Sequence, residues 1–374
     1  MEQNKSGIRL FPLLLKATIL FALFNFAFVS LPDLPFEKFS LYNSILPGRE
    51  RLPYGEVHES YNLSPFAIDA MFASHVISRR EKAPDEYRVL LIGDSSVWGT
   101  LLKPEETLAG QLNADQVAAC GKTVRAYNLG YPTLSLLKEL MLLDHALHAV
   151  RQPDMVVWLT TLESFPKERQ LTSPIVANNA ARVRELIERY NLSADPNDPA
   201  LVEPSTWDQT LVGQRRAVAD FLRLQIYGAL WASTGIDQVY PAEYDPAQID
   251  LEPNDEFHGL TSENLSALQG ALAFDVLEAG MSAATVPTLL VNEPILISNG
   301  ANSDIRYNFF YPRWAYDEYR RLLLERSAEH GWNYLDLWDL VPMEEFTNSA
   351  VHLTPRGEAM LAEQVAGAIQ ATCK

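Results

Sequence analysis

Short apolar runs recur along the chain from residue 87 onward. Strand-like runs fall at 87–92, 123–129, 154–160, 286–292 and 332–337. Helix-like runs lie between or after them, at 104–119, 134–150, 262–279, 314–329 and 355–371. Strands alternating with helices predict a parallel sheet with helices on both faces. The segment 163–260 interrupts the alternation and predicts an insertion. It contains a charged helix near 180–190, a Pro/Asp-rich loop, and a longer apolar-rich helix near 214–233. An insertion of that length acts as a lid or a partner surface. The apolar stripe from Phe221 to Trp231 is expected to pack on the domain, with contact to a membrane or partner protein as the alternative.

The N-terminal pattern is different. An apolar stretch runs from Leu10 to Leu31, flanked or interrupted by Lys5, Arg9 and Lys16 and ended by Pro32. About twenty such residues span a bilayer as a helix. The basic residues at its start place the N-terminus in the cytoplasm. A cleaved signal peptide is the competing reading, but Phe26-Ala27-Phe28-Val29-Ser30 offers no good small-x-small cleavage site. Residues 1–31 are therefore expected to be a signal anchor, with the rest of the chain extracytoplasmic. Pro35, Pro47, Gly48, Pro53 and Gly55 then mark an extended juxtamembrane linker within 32–86. Ser64-Pro65 predicts the start of a short helix over 64–78. The main domain follows over 87–374.

Composition narrows the function. The 374 residues are 47% hydrophobic and 21% charged, ordinary for a globular chain. A net charge of −18 excludes nucleic acid as a partner class, because phosphate backbones attract basic surfaces. Cys120 and Cys373 build neither a disulfide framework nor a cysteine metal site, and two unpaired thiols are expected rather than one bridge. His145 and His148 have helical spacing without a carboxylate or cysteine partner, so they are read as surface or interface residues. The sequence contains no phosphate-cradling loop, dinucleotide fingerprint, HExxH or GxSxG. No cofactor and no metal site are expected.

The chemistry sits at two distant points. The run ending at Ile92 stops at Gly93-Asp94-Ser95-Ser96, which places a serine at the carboxyl edge of a strand, where open α/β sheets keep their sites. Near the other end, Val351-His352-Leu353-Thr354-Pro355 leads into the final helix. A serine hydroxyl becomes a nucleophile when a base takes its proton, and histidine is the usual base. The oxyanion formed on attack needs fixed donors. The Ser95 N–H is one candidate, and Gly130, ending the second strand-like run, is another. Asp94 is expected to brace the turn.

These blocks, in this order, resemble the SGNH/GDSL hydrolase superfamily. Gly93-Asp94-Ser95 is similar to its first block, Asn128-Leu129-Gly130 to its second, and the segment around His352 to its last. The resemblance covers the chain from about residue 87, without the insertion. It implies a flavodoxin-like three-layer α/β/α domain, with Ser95 as nucleophile, His352 as base and Gly130 in the oxyanion hole. Two positions depart from the pattern. The third block, Gly-x-Asn-Asp, is replaced by Thr160-Thr161-Leu162-Glu163, which makes Thr161 the expected substitute donor. The aspartate three residues before the histidine is replaced by Ser349, so Asn348 is the candidate that orients the imidazole, with Asp336 and Asp339 as alternatives. The segment after the fourth strand carries Glu293, Arg306, Tyr311 and Arg313, a mix suited to sugar or headgroup recognition, and these are the expected substrate contacts.

The expectation is an extracytoplasmic serine esterase or O-acyltransferase acting on acyl esters of an envelope glycan or lipid. The alternative is an inactive SGNH-fold protein that binds glycan or scaffolds a membrane acyltransferase complex. Anchor, domain and insertion together resemble the membrane-tethered SGNH proteins of envelope-polymer acylation. That resemblance implies a multispanning membrane acyltransferase as partner.

Overall fold

A computed structural model describes residues 9–29, 40–55, 61–150, 152–201 and 204–373. Lys5, Pro32 and Pro35 lie outside the described residues. Six strands form the sheet: β1 Glu86–Ile92, β2 Ala118–Ala119, β3 Lys122–Asn128, β4 Met155–Thr160, β5 Thr288–Asn292 and β6 Asn333–Asp336. Their order is β2-β3-β1-β4-β5-β6. All neighbours pair in parallel except β2, which is antiparallel to β3. Without that edge hairpin the order is the flavodoxin-like one, in which the chain reverses direction beside the first strand. Leu91 stands opposite Asn128 and Ile92 opposite Trp158, so the carboxyl ends of β1, β3 and β4 lie together.

Successive side chains of a strand point to opposite faces, and both faces here are covered. Leu90, Ile92 and Trp158 face a layer that includes Leu140, Leu277 and Tyr319. Val89, Leu91 and Val157 face one that includes Leu108, Leu112, Leu361 and Val365. β1 and β4 are buried along their whole length, which explains their predominantly apolar runs; the one charged pair in β1, Glu86 with Arg88, is satisfied internally at 2.7 Å. Each fully buried aliphatic side chain contributes about 1.5–3 kcal/mol.

Several elements differ from the sequence reading. The helix expected over 104–119 is a turn at Pro104–Glu106, a helix at Leu108–Ala114, and then the hairpin strand β2. Gln116 and Cys120 take left-handed conformations there, with φ of 48° and 50°, which a helix does not allow. The helix expected over 262–279 breaks into Leu265–Ala271 and Phe274–Ala283. Between them the Ala273 N–H donates to Phe165 O at 2.8 Å. The two cysteines are not free thiols: Cys120 and Cys373 form a disulfide. The helix Pro355–Ala371 packs along Leu108–Ala114 and carries the C-terminus to the hairpin. A sequence separation of 253 hides that proximity.

The segment expected as an extended linker packs on the domain over its described part. Arg51 is 2% exposed. Its Nε and Nη2 reach Asp237 at 2.7 and 2.6 Å, and its Nη1 donates to Gly99 O and Leu102 O at 3.0 Å. Before it, the helix Leu10–Val29 is long and apolar enough to cross a membrane, and Asn25 is its one buried residue. The insertion helix Arg215–Thr234 buries Leu224, Gln225 and Gly228 against the domain and leaves its other face exposed.

Candidate active site

β1 ends at Gly93, and the chain turns at once into a four-residue helix, Ser95–Trp98. Asp94 caps it, its Oδ1 accepting from the Ser96 N–H at 2.8 Å, which is the bracing role expected for it. Gly99 ends the helix with φ of 86°, a conformation glycine adopts without strain. Ser95 thereby occupies the first helical position, with its hydroxyl directed at the C-terminal segment.

There His352 Nε2 lies 2.9 Å from Ser95 Oγ. On the other side of the ring, Nδ1 lies 3.2 Å from Asn348 Oδ1. An amide oxygen accepts only, so Nδ1 carries the proton and Nε2 is left to accept from the serine hydroxyl. The histidine loop is pinned at both ends. Thr347 N donates to His352 O at 2.8 Å, and Thr354 N donates to Glu345 O at 2.9 Å before Thr354 caps the final helix.

Ser95, His352 and Asn348 open onto a cleft of about 580 Å³, whose wall includes Tyr54, Thr133 and Arg169. The insertion builds one side of it, through Arg169, Ser173 and Gln238 among others. Thr133 holds φ of 98°, rare for a threonine, and its Oγ1 is 2.8 Å from Ser173 Oγ. Strained backbone of this kind clusters at active sites.

The other expected site residues are placed elsewhere. The Gly130 N–H donates to Asn128 Oδ1 at 3.0 Å and is not aimed at the cleft. Glycine is required there for packing, because a Cβ would lie 2.6 Å from Trp98 N. Thr161 is fully buried, its hydroxyl 2.9 Å from Tyr311 Oη, and neither residue lines the cleft. Arg306 donates to the carbonyls of Asn254, Glu256, Asn308, Phe309 and Phe310. Arg313 donates to Ser303 O at 2.6 Å and stacks 4.2 Å from the Tyr307 ring. Irregular buried backbone must find donors for its carbonyls, and these arginines supply them to their own loop. Asp336 pairs with Asn292 and Arg320 at the end of the sheet, away from the imidazole. Glu293 lies beneath the nucleophile turn, where it accepts from the Ser96 hydroxyl.

Glu293 belongs to a buried polar group that sequence reading missed. Lys138 is fully buried, and its Nζ donates to Gly93 O at 2.9 Å, Tyr131 O at 2.8 Å and Glu139 Oε1 at 3.3 Å. It ties the ends of β1 and β3 together directly behind Ser95. Glu139 Oε2 accepts from Trp158 Nε1 at 2.8 Å. The signal was present as a charged pair inside the apolar run Leu136-Leu137-Lys138-Glu139-Leu140-Met141. Burial raises the Glu139 carboxyl to about 7 against the opposing pull of Lys138, and raises Glu358 to about 8. Burial, then the nearby Asp94 charge, holds Glu293 well above the carboxylate range.

These shifts set a pH dependence. Each carboxyl keeps its proton in the folded chain and loses it near 4.5 when unfolded, so its stabilisation is complete below 4.5 and is lost as pH rises through its folded value. Burial lowers His75 and His145 to about 4, which opposes this trend below 6.5. From pH 6.5 to 8 Glu139 and Glu358 together are expected to lower stability by about 1–2 kcal/mol per pH unit. Thermal unfolding in detergent across that range checks this, and a rising midpoint would contradict it.

No protein-family model and no curated protein matches the chain. Among solved structures, a G-D-S-L family lipolytic protein from Veillonella parvula is similar at 12% identity, over 75% of this chain and 96% of that one, with a TM-score of 0.34. Est24, a carbohydrate acetylesterase from Sinorhizobium meliloti, is similar at 13% identity, over 76% and 99%, with a TM-score of 0.33. The aryl esterase of M. smegmatis is similar at 12% identity, over 76% and 98%, with a TM-score of 0.35. The chain resembles the SGNH hydrolases. SGNH-like features of its own structure are the strand order, the serine at the end of β1 and the histidine before the last helix.

Proposed function

We propose that the protein is a membrane-anchored, extracytoplasmic serine esterase or O-acyltransferase acting on acyl esters of an envelope glycan or lipid. The observation that carries this reading is the 2.9 Å contact between Ser95 Oγ and His352 Nε2 at the wall of an open cleft. Ser95 Oγ attacks the ester carbonyl as its proton passes to Nε2. The Ser95 N–H, at the first helical position and so outside the helix's own bonding, is the donor for the oxyanion. Collapse breaks the bond to the leaving alcohol, which takes the proton from Nε2. Water or an acceptor alcohol then gives its proton to Nε2 and attacks the acyl-enzyme, and the acyl–Oγ bond breaks as Nε2 returns that proton to Ser95 Oγ. Arg169 and the hydroxyls of Thr133 and Ser173 suit a substrate rich in oxygen. The disulfide supports an oxidising compartment, in keeping with a domain outside the cytoplasm. A multispanning membrane acyltransferase would supply acyl groups in the transferase form of this reading.

The test is covalent labelling. A fluorophosphonate is expected to modify Ser95 of the full chain in detergent, and Ser95→Ala to abolish both labelling and p-nitrophenyl acetate hydrolysis. Absence of labelling, with hydrolysis unaffected by Ser95→Ala, would overturn the enzyme reading in favour of a non-catalytic glycan-binding or scaffolding role.

A further inference from the structure

The insertion helix Arg215–Thr234 carries apolar side chains on its inner and outer faces. Inward, Tyr42 Oη donates to Leu224 O at 3.0 Å, and a Cβ at Gly228 would lie 2.6 Å from Tyr42 Oη. Outward, Leu222, Ile226 and Leu230 form one row at four-residue spacing and are 53%, 64% and 42% exposed. Two more exposed apolar residues flank it. Ile45 (79%) precedes Leu46, which packs on Gly228, and Trp207 (62%) has its carbonyl against Gly213. A row of exposed apolar side chains on one helix face marks a contact surface.

Two observations identify what covers it. The first is position. Val212 N donates to Asn25 Oδ1 at 3.1 Å. Asn25 is four residues from the end of Leu10–Val29, which at ~1.5 Å per residue puts it about 6 Å inside that end. If Leu10–Val29 spans the bilayer, Val212 stands about 6 Å inside the hydrocarbon edge, near the boundary with the headgroups, and the insertion helix starts there. The second is charge. Arg215, Arg216 and Arg223 are exposed along the outward side, Arg223 paired at 2.9 Å with Asp220, in a chain whose net charge is −18. Apolar residues bordered by arginines, with an aromatic at one end, are the pattern of a helix lying in the plane of an anionic membrane.

We propose that Arg215–Thr234 is an interfacial helix, docked through Leu222, Ile226 and Leu230 into the anionic leaflet that the anchor helix enters. The proposal rests on the anchor reading of Leu10–Val29 and is independent of Ser95 chemistry. The helix also connects to the cleft. Gln238, just past the helix, donates to Gly99 O at 2.8 Å and Leu102 O at 2.7 Å and lines the cleft. The docked helix is thereby linked, four residues along the chain, to the nucleophile segment.

The test uses the full chain in nanodiscs of phosphatidylcholine and phosphatidylglycerol containing lipid spin-labelled near the headgroup. Cys120 and Cys373 are joined in a disulfide, so an introduced cysteine takes an environment-sensitive fluorophore selectively. Labels at Ile226→Cys and Leu230→Cys are expected to be blue-shifted and quenched several-fold more than one at the exposed Gln248→Cys. Arg215→Glu, Arg216→Glu and Arg223→Glu together should remove most of that quenching. A label at Phe21→Cys reports the anchor, and circular dichroism reports the fold of each variant. Strong quenching at Phe21 with a water-exposed label at Ile226 would overturn the docking while leaving the anchor intact. Protection of Ile226 only in native membranes would overturn it in favour of a protein partner.

Discussion

Replacing His352 with alanine is expected to slow acylation of Ser95 by about three to four orders of magnitude. Without a base, the hydroxyl must lose its proton to water. The rate constant for fluorophosphonate labelling reads this step directly, apart from deacylation. Asn348 has a smaller and more diagnostic effect. Its Oδ1 sits 3.2 Å from Nδ1, where it can hold the tautomer but brings no charge to offset the imidazolium. At an exposed position such an offset is worth about 1–2 kcal/mol, or roughly tenfold in rate. Asn348→Asp is therefore expected to raise kcat/KM about tenfold. It should also move the acidic limb of the pH profile, set by the need for unprotonated histidine, to higher pH, because a carboxylate favours the imidazolium. Asn348→Ala should lower kcat/KM without that shift. If Asn348→Asp and Asn348→Ala both left the rate and the pH profile unchanged, Asn348 would have no orienting role.

The parts of this molecule legible in its sequence are those governed by local pattern. Largely apolar runs located β1 and β4, because strands buried on both faces admit few polar residues. The pairing of Ser95 with His352 was legible for a similar reason, since each stands beside a local signal: a strand ending in glycine, and Thr354-Pro355 opening a helix. The hairpin at β2 was not, because its register depends on left-handed Gln116 and Cys120, residues that seldom mark a turn. The roles of Glu293, Arg306, Tyr311 and Arg313 were misjudged for a different reason. Polar and aromatic side chains that contact a ligand have the same composition as those that satisfy a buried irregular loop, and only the coordinates separate the two. The cleft wall supplied by Arg169, Ser173 and Gln238 comes from an insertion with no periodic signal to place it.

Lys138 gives the second large effect. Its ammonium is fully buried and bonded to the last carbonyl of the β1 turn, to the carbonyl of Tyr131 and to Glu139. Lys138→Met fills much the same space but leaves two buried carbonyls without this donor and Glu139 without its cation. Above pH 7, where Glu139 is ionised, removing one partner of this buried ion pair costs about 3–5 kcal/mol, expected as a clear drop in the thermal midpoint of the full chain in detergent. The double variant Lys138→Met with Glu139→Gln removes the stranded charge and should recover part of that loss, because an uncharged amide is cheaper to bury. The fluorophosphonate reaction separates stability from positioning. In the double variant, measured well below its midpoint, Ser95 should still react more slowly than in the parent, because Gly93 and Tyr131 are no longer drawn together behind it. Full recovery of the Ser95 rate would mean that Lys138 only stabilises the fold. A midpoint unchanged by Lys138→Met would show that the ammonium does not hold the two strand ends at all.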